Sequence, residues 1–165
     1  MAGDLRIAVQ TADFDVAGEY QWLRGSGVAS SGVSVRGENG AVVTFTGLVR
    51  ELAEGELVGM SLEHYPAMTE RALTDIVRQA QQRWALGRVA IIHRVGFLTL
   101  NEQIVFVGVA SAHRKAAANA AEFIMDYLKT RAPFWKKEHR TDGAEWVAAK
   151  DSDAQATEQW EQDNA

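Results

Sequence analysis

No cysteine occurs among the 165 residues. That excludes a disulfide framework, a thiolate nucleophile and a Cys-ligated metal, and it is compatible with a reducing cytosol. The four histidines show neither an i, i+4 pair nor a carboxylate at zinc-like spacing, so no metal site is expected. Long apolar runs are missing too. The longest, 104–110, falls far short of the roughly 18 residues a membrane span needs. The opening MAGDLRIAVQ has no basic segment followed by an apolar stretch, so no secretory leader is expected and the reading is a soluble cytoplasmic protein. Neither common Gly-rich phosphate loop appears, nor a Gly-x-Ser-x-Gly elbow, and no cofactor is expected. Base is not in excess: 22 acidic and 17 basic side chains give a net charge of −5, which argues against a polyanion-coating surface.

What is present fits a soluble globular domain: 47% apolar and 24% charged residues. A chain of this length suits one domain and buries roughly 70% of its unfolded surface. The charge is unevenly placed. Residues 151–165 hold five acids and no base, whereas 1–150 hold 17 of each. We therefore expect a single domain over 1–150 and an acidic C-terminal tail over 151–165, mobile and outside any pocket. Within the neutral body, 129–140 (KTRAPFWKKEHR) carries five bases and one acid.

Leu5, Ile7 and Val9 alternate with polar neighbours, predicting a short strand. A short helix is expected over 13–23, capped by Asp13 or Asp15. The Gly/Ser-rich stretch 24–39 reads as a long flexible loop. Residues 40–50 and 57–64 read as strands joined by a turn into a hairpin. Pro66 suits the first turn of a helix with Leu73, Ile76, Val77, Ala80 and Trp84 on one face, stopped by Gly87. Strands are expected over 88–98 and 103–110, with Asn101 and Glu102 in the turn between them. Ser111 is placed to cap a helix whose stripe is Ala116, Ala120, Phe123, Ile124, Tyr127 and Leu128, and Pro133 ends it. One or two short strands are expected near Trp135 and Trp146. The order β, α, then β-β-α-β-β-α argues for an α+β fold with a mainly antiparallel sheet and a small C-terminal β extension.

Lys129 and Lys136, with Arg131 and Lys137, are the densest candidate for chemistry. A helix-end lysine is favoured by the helix dipole alone. Yet Pro133 and two aromatics between the lysines make a rigid connection, and crowded cations make an amine a better base or nucleophile. On residue chemistry both readings stand. His113 and Arg114 follow a strand and open a helix, where free amides favour a phosphate or carboxylate. Arg50 ends a strand, a place where arginines are usually solvated. His64 and His93 lie in strand patterns and read as locally hydrogen-bonded.

Several strings then carry a resemblance. They are Ala41-Val-Val-Thr-Phe-Thr-Gly-Leu-Val-Arg50, Leu62-Glu-His-Tyr-Pro-Ala-Met-Thr-Glu70, Leu86-Gly-Arg-Val, Ile92-His-Arg-Val-Gly96, Val107-Gly-Val-Ala-Ser-Ala-His-Arg114 and Phe123-Ile-Met-Asp-Tyr-Leu-Lys-Thr-Arg-Ala-Pro-Phe-Trp-Lys136. In this order, across 40–150, the chain resembles the large, catalytic subunit of molybdopterin synthase. The resemblance implies a hammerhead-like fold and sulfur transfer in molybdenum-cofactor biosynthesis. A small ubiquitin-like partner would insert a Gly-Gly C-terminus carried as a thiocarboxylate, and two sulfurs would pass to cyclic pyranopterin monophosphate. A central homodimer would carry one small subunit at each end, making a heterotetramer.

By position the resemblance makes Lys129 and Lys136 catalytic. It places Arg50, His113 and Arg114 on the substrate phosphate and pterin, with Lys137 and Glu138 alongside. Leu48, Val49, Arg131 and Lys150 are further candidates at the pocket edge. Leu48 stands where members often carry Lys or Arg, which removes a cation. Lys150 stands where Arg is frequent, which loses the bidentate fork. The alternative reading is a non-catalytic binding module for a partner tail or a single-stranded nucleic acid, gripped by the basic segment with Phe134 and Trp135. The neutral body speaks against the nucleic acid, and the intact lysine pair against a scaffold.

Overall fold

The apolar runs pair as an α+β protein requires, but in two sheets. The computed structural model of the chain describes residues 5–25, 37–51, 56–148 and 151–162. Their elements are β1 (Leu5–Gln10), α1 (Val16–Arg24), β2 (Ala41–Leu48), β3 (Leu57–His64), α2 (Met68–Arg83), β4 (Val89–Arg94), β5 (Gly96–Thr99), β6 (Gln103–Ser111), α3 (Arg114–Arg131), β7 (Phe134–Arg140), β8 (Gly143–Trp146) and α4 (Asp151–Gln162). The first sheet has the order β1-β4-β6-β2 and the second β5-β3-β7-β8. Strands β1 and β4 run parallel, and the other pairings among the described residues are antiparallel.

The first sheet is covered on both faces, which is why its central strands read as unbroken apolar runs. Strand alternation sends Val89 and Ile91 of β4 and Val105, Val107 and Val109 of β6 into one core with Leu73, Val77, Phe123 and Ile124 of α2 and α3. The intervening Ala90, Ile92 and Phe106 face α1 through Phe14 and Leu23. Gly108 is small for a reason: a Cβ there would meet Leu23 Cδ1 at 2.3 Å. A third cluster, Val49, Leu57, Leu62 and Leu98, packs the second sheet. Helix α1 is capped by Asp15, whose Oδ1 accepts from Ala17 N at 3.1 Å, and closes on Gly25 at φ 79°. Helix α3 stops where Ala132 turns extended ahead of Pro133.

Four expectations are corrected. Strands β2 and β3 do not form a hairpin. β2 matches β6 over eight positions, while both edges of β3 are taken by β5 and β7. The expected strand 88–98 is two strands in different sheets, broken at Val95 and turned by Gly96 at φ 92°. Gly87 does not stop α2, which ends three residues earlier on an extended Trp84. Gly87 instead allows close approach of Asn39, whose Oδ1 would lie 2.4 Å from a Cβ. Ser111 belongs to β6 and the N-cap of α3 is His113; the Ser111 hydroxyl donates to Ala85 O at 2.9 Å.

Of the acidic segment, residues 151–162 form helix α4 and are docked rather than mobile. Trp160 of α4 sits edge-on to Trp84 and Phe123 at 5.8 and 5.6 Å between ring centroids, and its Nε1 donates to Asp126 Oδ2 at 2.7 Å. Of the expected loop 24–39, Arg24 and Gly25 close α1, while 26–36 lie outside the described residues. No helix among the described residues is long and apolar enough to cross a membrane.

Candidate functional site

Helix α3 ends and β7 begins within three residues, and this junction makes the site. The helix delivers Lys129 in its last turn. Pro133 and an extended Ala132 then reverse the chain into β7, where alternation puts Phe134 and Lys136 on one face. Both lysines line one cleft of about 370 Å³, with His93 from β4, Phe134, and Asp153 from α4. The spacing in the sequence therefore does bring Lys129 and Lys136 together. Asp153 Oδ1 pairs with Lys129 Nζ at 3.6 Å, with both side chains partly in solvent, so the bond stabilises little by itself. It does place a carboxylate where an anionic ligand would meet the lysine.

The remaining candidates fall in three places. Arg50 is exposed just beyond β2. Its neighbour Val49 is buried, and the Val49 N–H donates to Glu102 O at 2.9 Å. Leu48 is 49% exposed at the strand end. Because α3 reverses over β6 and β2, Lys129 lies toward the same end of the first sheet as Arg50. His113 and Arg114 cap and open α3 and are exposed. Fifteen residues of helix separate Arg114 from Lys129, about 22 Å along the axis, so one chain does not bring them to one small ligand.

On β7, Lys137 points away from the cleft, its Nζ 5.3 Å from the Trp146 ring centroid. Glu138 shares the Lys136 face and pairs with Arg140 at 3.3 Å. Arg131 turns to α4: it pairs with Glu161 and lies over the Tyr127 ring at 4.3 Å. Lys150 lies outside the described residues. Phe134 is stacked inside, 3.8 Å from His93, and the two central lysines face opposite ways.

Sequence reasoning missed two side chains of the cleft. Asp153 was hidden in a segment read as a tail. His93 was hidden in an apolar run, though it stands in one of the resemblance strings. Its ring is 2% exposed and stacks on Phe134 with an interplanar angle of 16°. Its Nδ1 lies 2.8 Å from Arg94 O. A carbonyl only accepts, so Nδ1 carries the proton and Nε2 is an acceptor. Burial pushes the pKa down to about 4; the Arg94 carbonyl opposes this, while the nearby Lys136 and His64 add to it. His93 is thus a neutral ring in a cationic cleft.

Comparison with known proteins bears on this arrangement. The family described as MoaE protein matches residues 9–131. A curated relative from Salmonella typhimurium, named molybdopterin synthase catalytic subunit, is 54% identical over 158 residues, covering 95% of this chain and 99% of that protein. A solved molybdopterin biosynthesis MoaE protein from Burkholderia ambifaria superposes with a TM-score of 0.76 at 44% identity, covering 94% of this chain and 97% of that one. A Helicobacter pylori complex of subunits 1 and 2 of a molybdopterin-converting factor gives 0.63 at 19% identity, covering 89% and 90%, a likeness of fold alone.

Proposed function

The chain belongs to the MoaE protein family, and from that premise we propose that it is the sulfur-transferring catalytic subunit of a molybdopterin synthase. The observation that carries the reading is the convergence of Lys129 and Lys136 on one small cleft. The donor is the thiocarboxylated C-terminus of a small ubiquitin-like partner, and the acceptor is cyclic pyranopterin monophosphate. In each transfer the thiocarboxylate sulfur forms a C–S bond to a pterin side-chain carbon as that carbon's C–O bond breaks, the oxygen leaving with the opened cyclic phosphate in one transfer and as water in the other. Water then attacks the acyl carbon, the acyl C–S bond breaks, and the partner leaves as a carboxylate with the sulfur retained on the pterin. Two such transfers make the dithiolene. Both reactants are anions, and Lys129 and Lys136 offset their repulsion and the charge that develops on the acyl oxygen.

Arg50, at the same end of the sheet as Lys129, binds the substrate phosphate. His113 and Arg114 serve the same substrate only if a second copy of the chain brings its own α3 start to this cleft, which fits the homodimer the resemblance implies. Asp153 yields Lys129 to the incoming anion. A cytoplasmic location belongs to the same proposal. The test is reconstitution with thiocarboxylated partner and pterin substrate, read out as dithiolene formation. Lys129→Ala should lower turnover at least about 100-fold with an unchanged melting temperature, the scale of losing one preorganised charge. Lys136→Ala should impair it strongly. Near-normal turnover by Lys129→Ala would overturn the reading.

A further inference from the structure

We infer that His93 is a substrate-binding residue: its Nε2 accepts a hydrogen bond from an N–H group of the pterin while Lys129 and Lys136 hold the anionic groups. The inference rests on the sulfur-transfer reading, which supplies a pterin as ligand.

Three observations carry it. The ring lines the same cleft as the two lysines. Its orientation is fixed twice, by the 2.8 Å bond from Nδ1 to Arg94 O and by the flat stack on Phe134. That bond spends the only ring proton, so Nε2, across the ring, is an acceptor with a set direction. Lys136 on β7, Lys129 on α3 and Asp153 on α4 share the cleft with the ring, and Lys136 and His64 on β3 lie near enough to act on it electrostatically. Ammonium groups donate and never accept, and the Asp153 carboxylate is turned to Lys129. A pterin presents ring and exocyclic N–H donors, which the lysines cannot satisfy. A neutral, preoriented imidazole can, and desolvation by the surrounding apolar side chains keeps it neutral.

A structural role and a binding role make opposite predictions for two replacements. His93→Phe keeps the ring and its stack on Phe134 but removes the acceptor. His93→Gln breaks the ring but places an amide oxygen near the Nε2 position, whereas His93→Asn places one near Nδ1. In the reconstituted enzyme, His93→Phe and His93→Asn should raise KM for the pterin substrate about 10- to 30-fold with little change in kcat, the effect of leaving one hydrogen bond unmade. His93→Gln should stay within about 3-fold of the parent. Inorganic phosphate, used as a competitive probe, should bind all four proteins alike, because it reaches only the cations.

A His93→Phe enzyme with parental KM overturns the inference, as does a His93→Gln enzyme no better than His93→Asn. If Lys129→Ala also turns over normally, the sulfur-transfer reading has failed as well. If Lys129→Ala is inactive while His93→Phe is normal, only the role of His93 has failed.

Discussion

His93 lies in a strand whose six residues are all buried, and its pKa of about 4 against an ordinary 6.5 has a consequence for stability. Between those two values the unfolded chain binds a proton that the folded chain refuses. Stability therefore rises with pH across that window and falls on acidification from pH 7 to pH 5, by about 2 kcal/mol for this one group. Asp13 and Glu102 have lowered values, held down chiefly by hydrogen bonds from Gln103 and from Thr99. Their contributions are lost as the pH falls through the carboxylate range, from about 4.5 downward, and so lie below the pH 7 to pH 5 comparison. Urea unfolding at pH 7 and pH 5 should thus show a larger loss for the parent than for His93→Gln, and equal losses would refute the assignment. The same burial explains why the residue was not legible as part of a site. A histidine in an apolar run reads as core, and only the fold shows that its edge meets a cleft. Lys129 and Lys136 were legible because proline and aromatics between two lysines restrict where the second can go.

The elements that were misread share one cause: periodicity identifies a strand but not its partner. Val42 to Thr46 alternate well enough to be recognised, yet nothing in them excludes β3 as neighbour. The choice is made by β6, a longer strand buried on both faces, which takes β2 over eight positions. The break at Val95 has a clearer local mark. Arg94, the last residue of β4 paired with β1, donates through its side chain to the Thr11 and Gln103 carbonyls at 3.1–3.2 Å, and Gly96 carries the chain to the second sheet at φ 92°. A Cβ there would have room, since its nearest neighbour is Thr11 Cγ2 at 3.9 Å. The cost of Gly96→Ala is then backbone strain alone, about 1–2 kcal/mol. Chemical denaturation should show that loss with an unchanged slope, whereas a neutral substitution would mean the turn adapts. Because β5 and β7 both flank β3, a loosened turn would reach Lys136 only through two strand pairings.

At the scale of the whole molecule the net charge of −5 conceals an arrangement. Part of the C-terminal acid is docked in α4 against the cations of α3: Asp153 on Lys129 and Glu161 on Arg131. The second group of candidate residues, His113 and Arg114, stands at the far end of α3, about 22 Å away. If both groups act on one substrate, two chains must share each site, and a two-fold dimer then contains two such shared sites. Complementation tests this directly. A Lys129→Ala chain and an Arg114→Ala chain should each be nearly inactive alone. Mixed in equal amounts and allowed to exchange subunits, half of the dimers pair one of each, and in those one of the two sites is intact. Activity should return to about a quarter of the parental value under random two-fold pairing. If each chain instead builds its own site, both kinds of site in the mixed dimer stay damaged and mixing restores nothing. That outcome would require Arg114 to act at a place separate from Lys129.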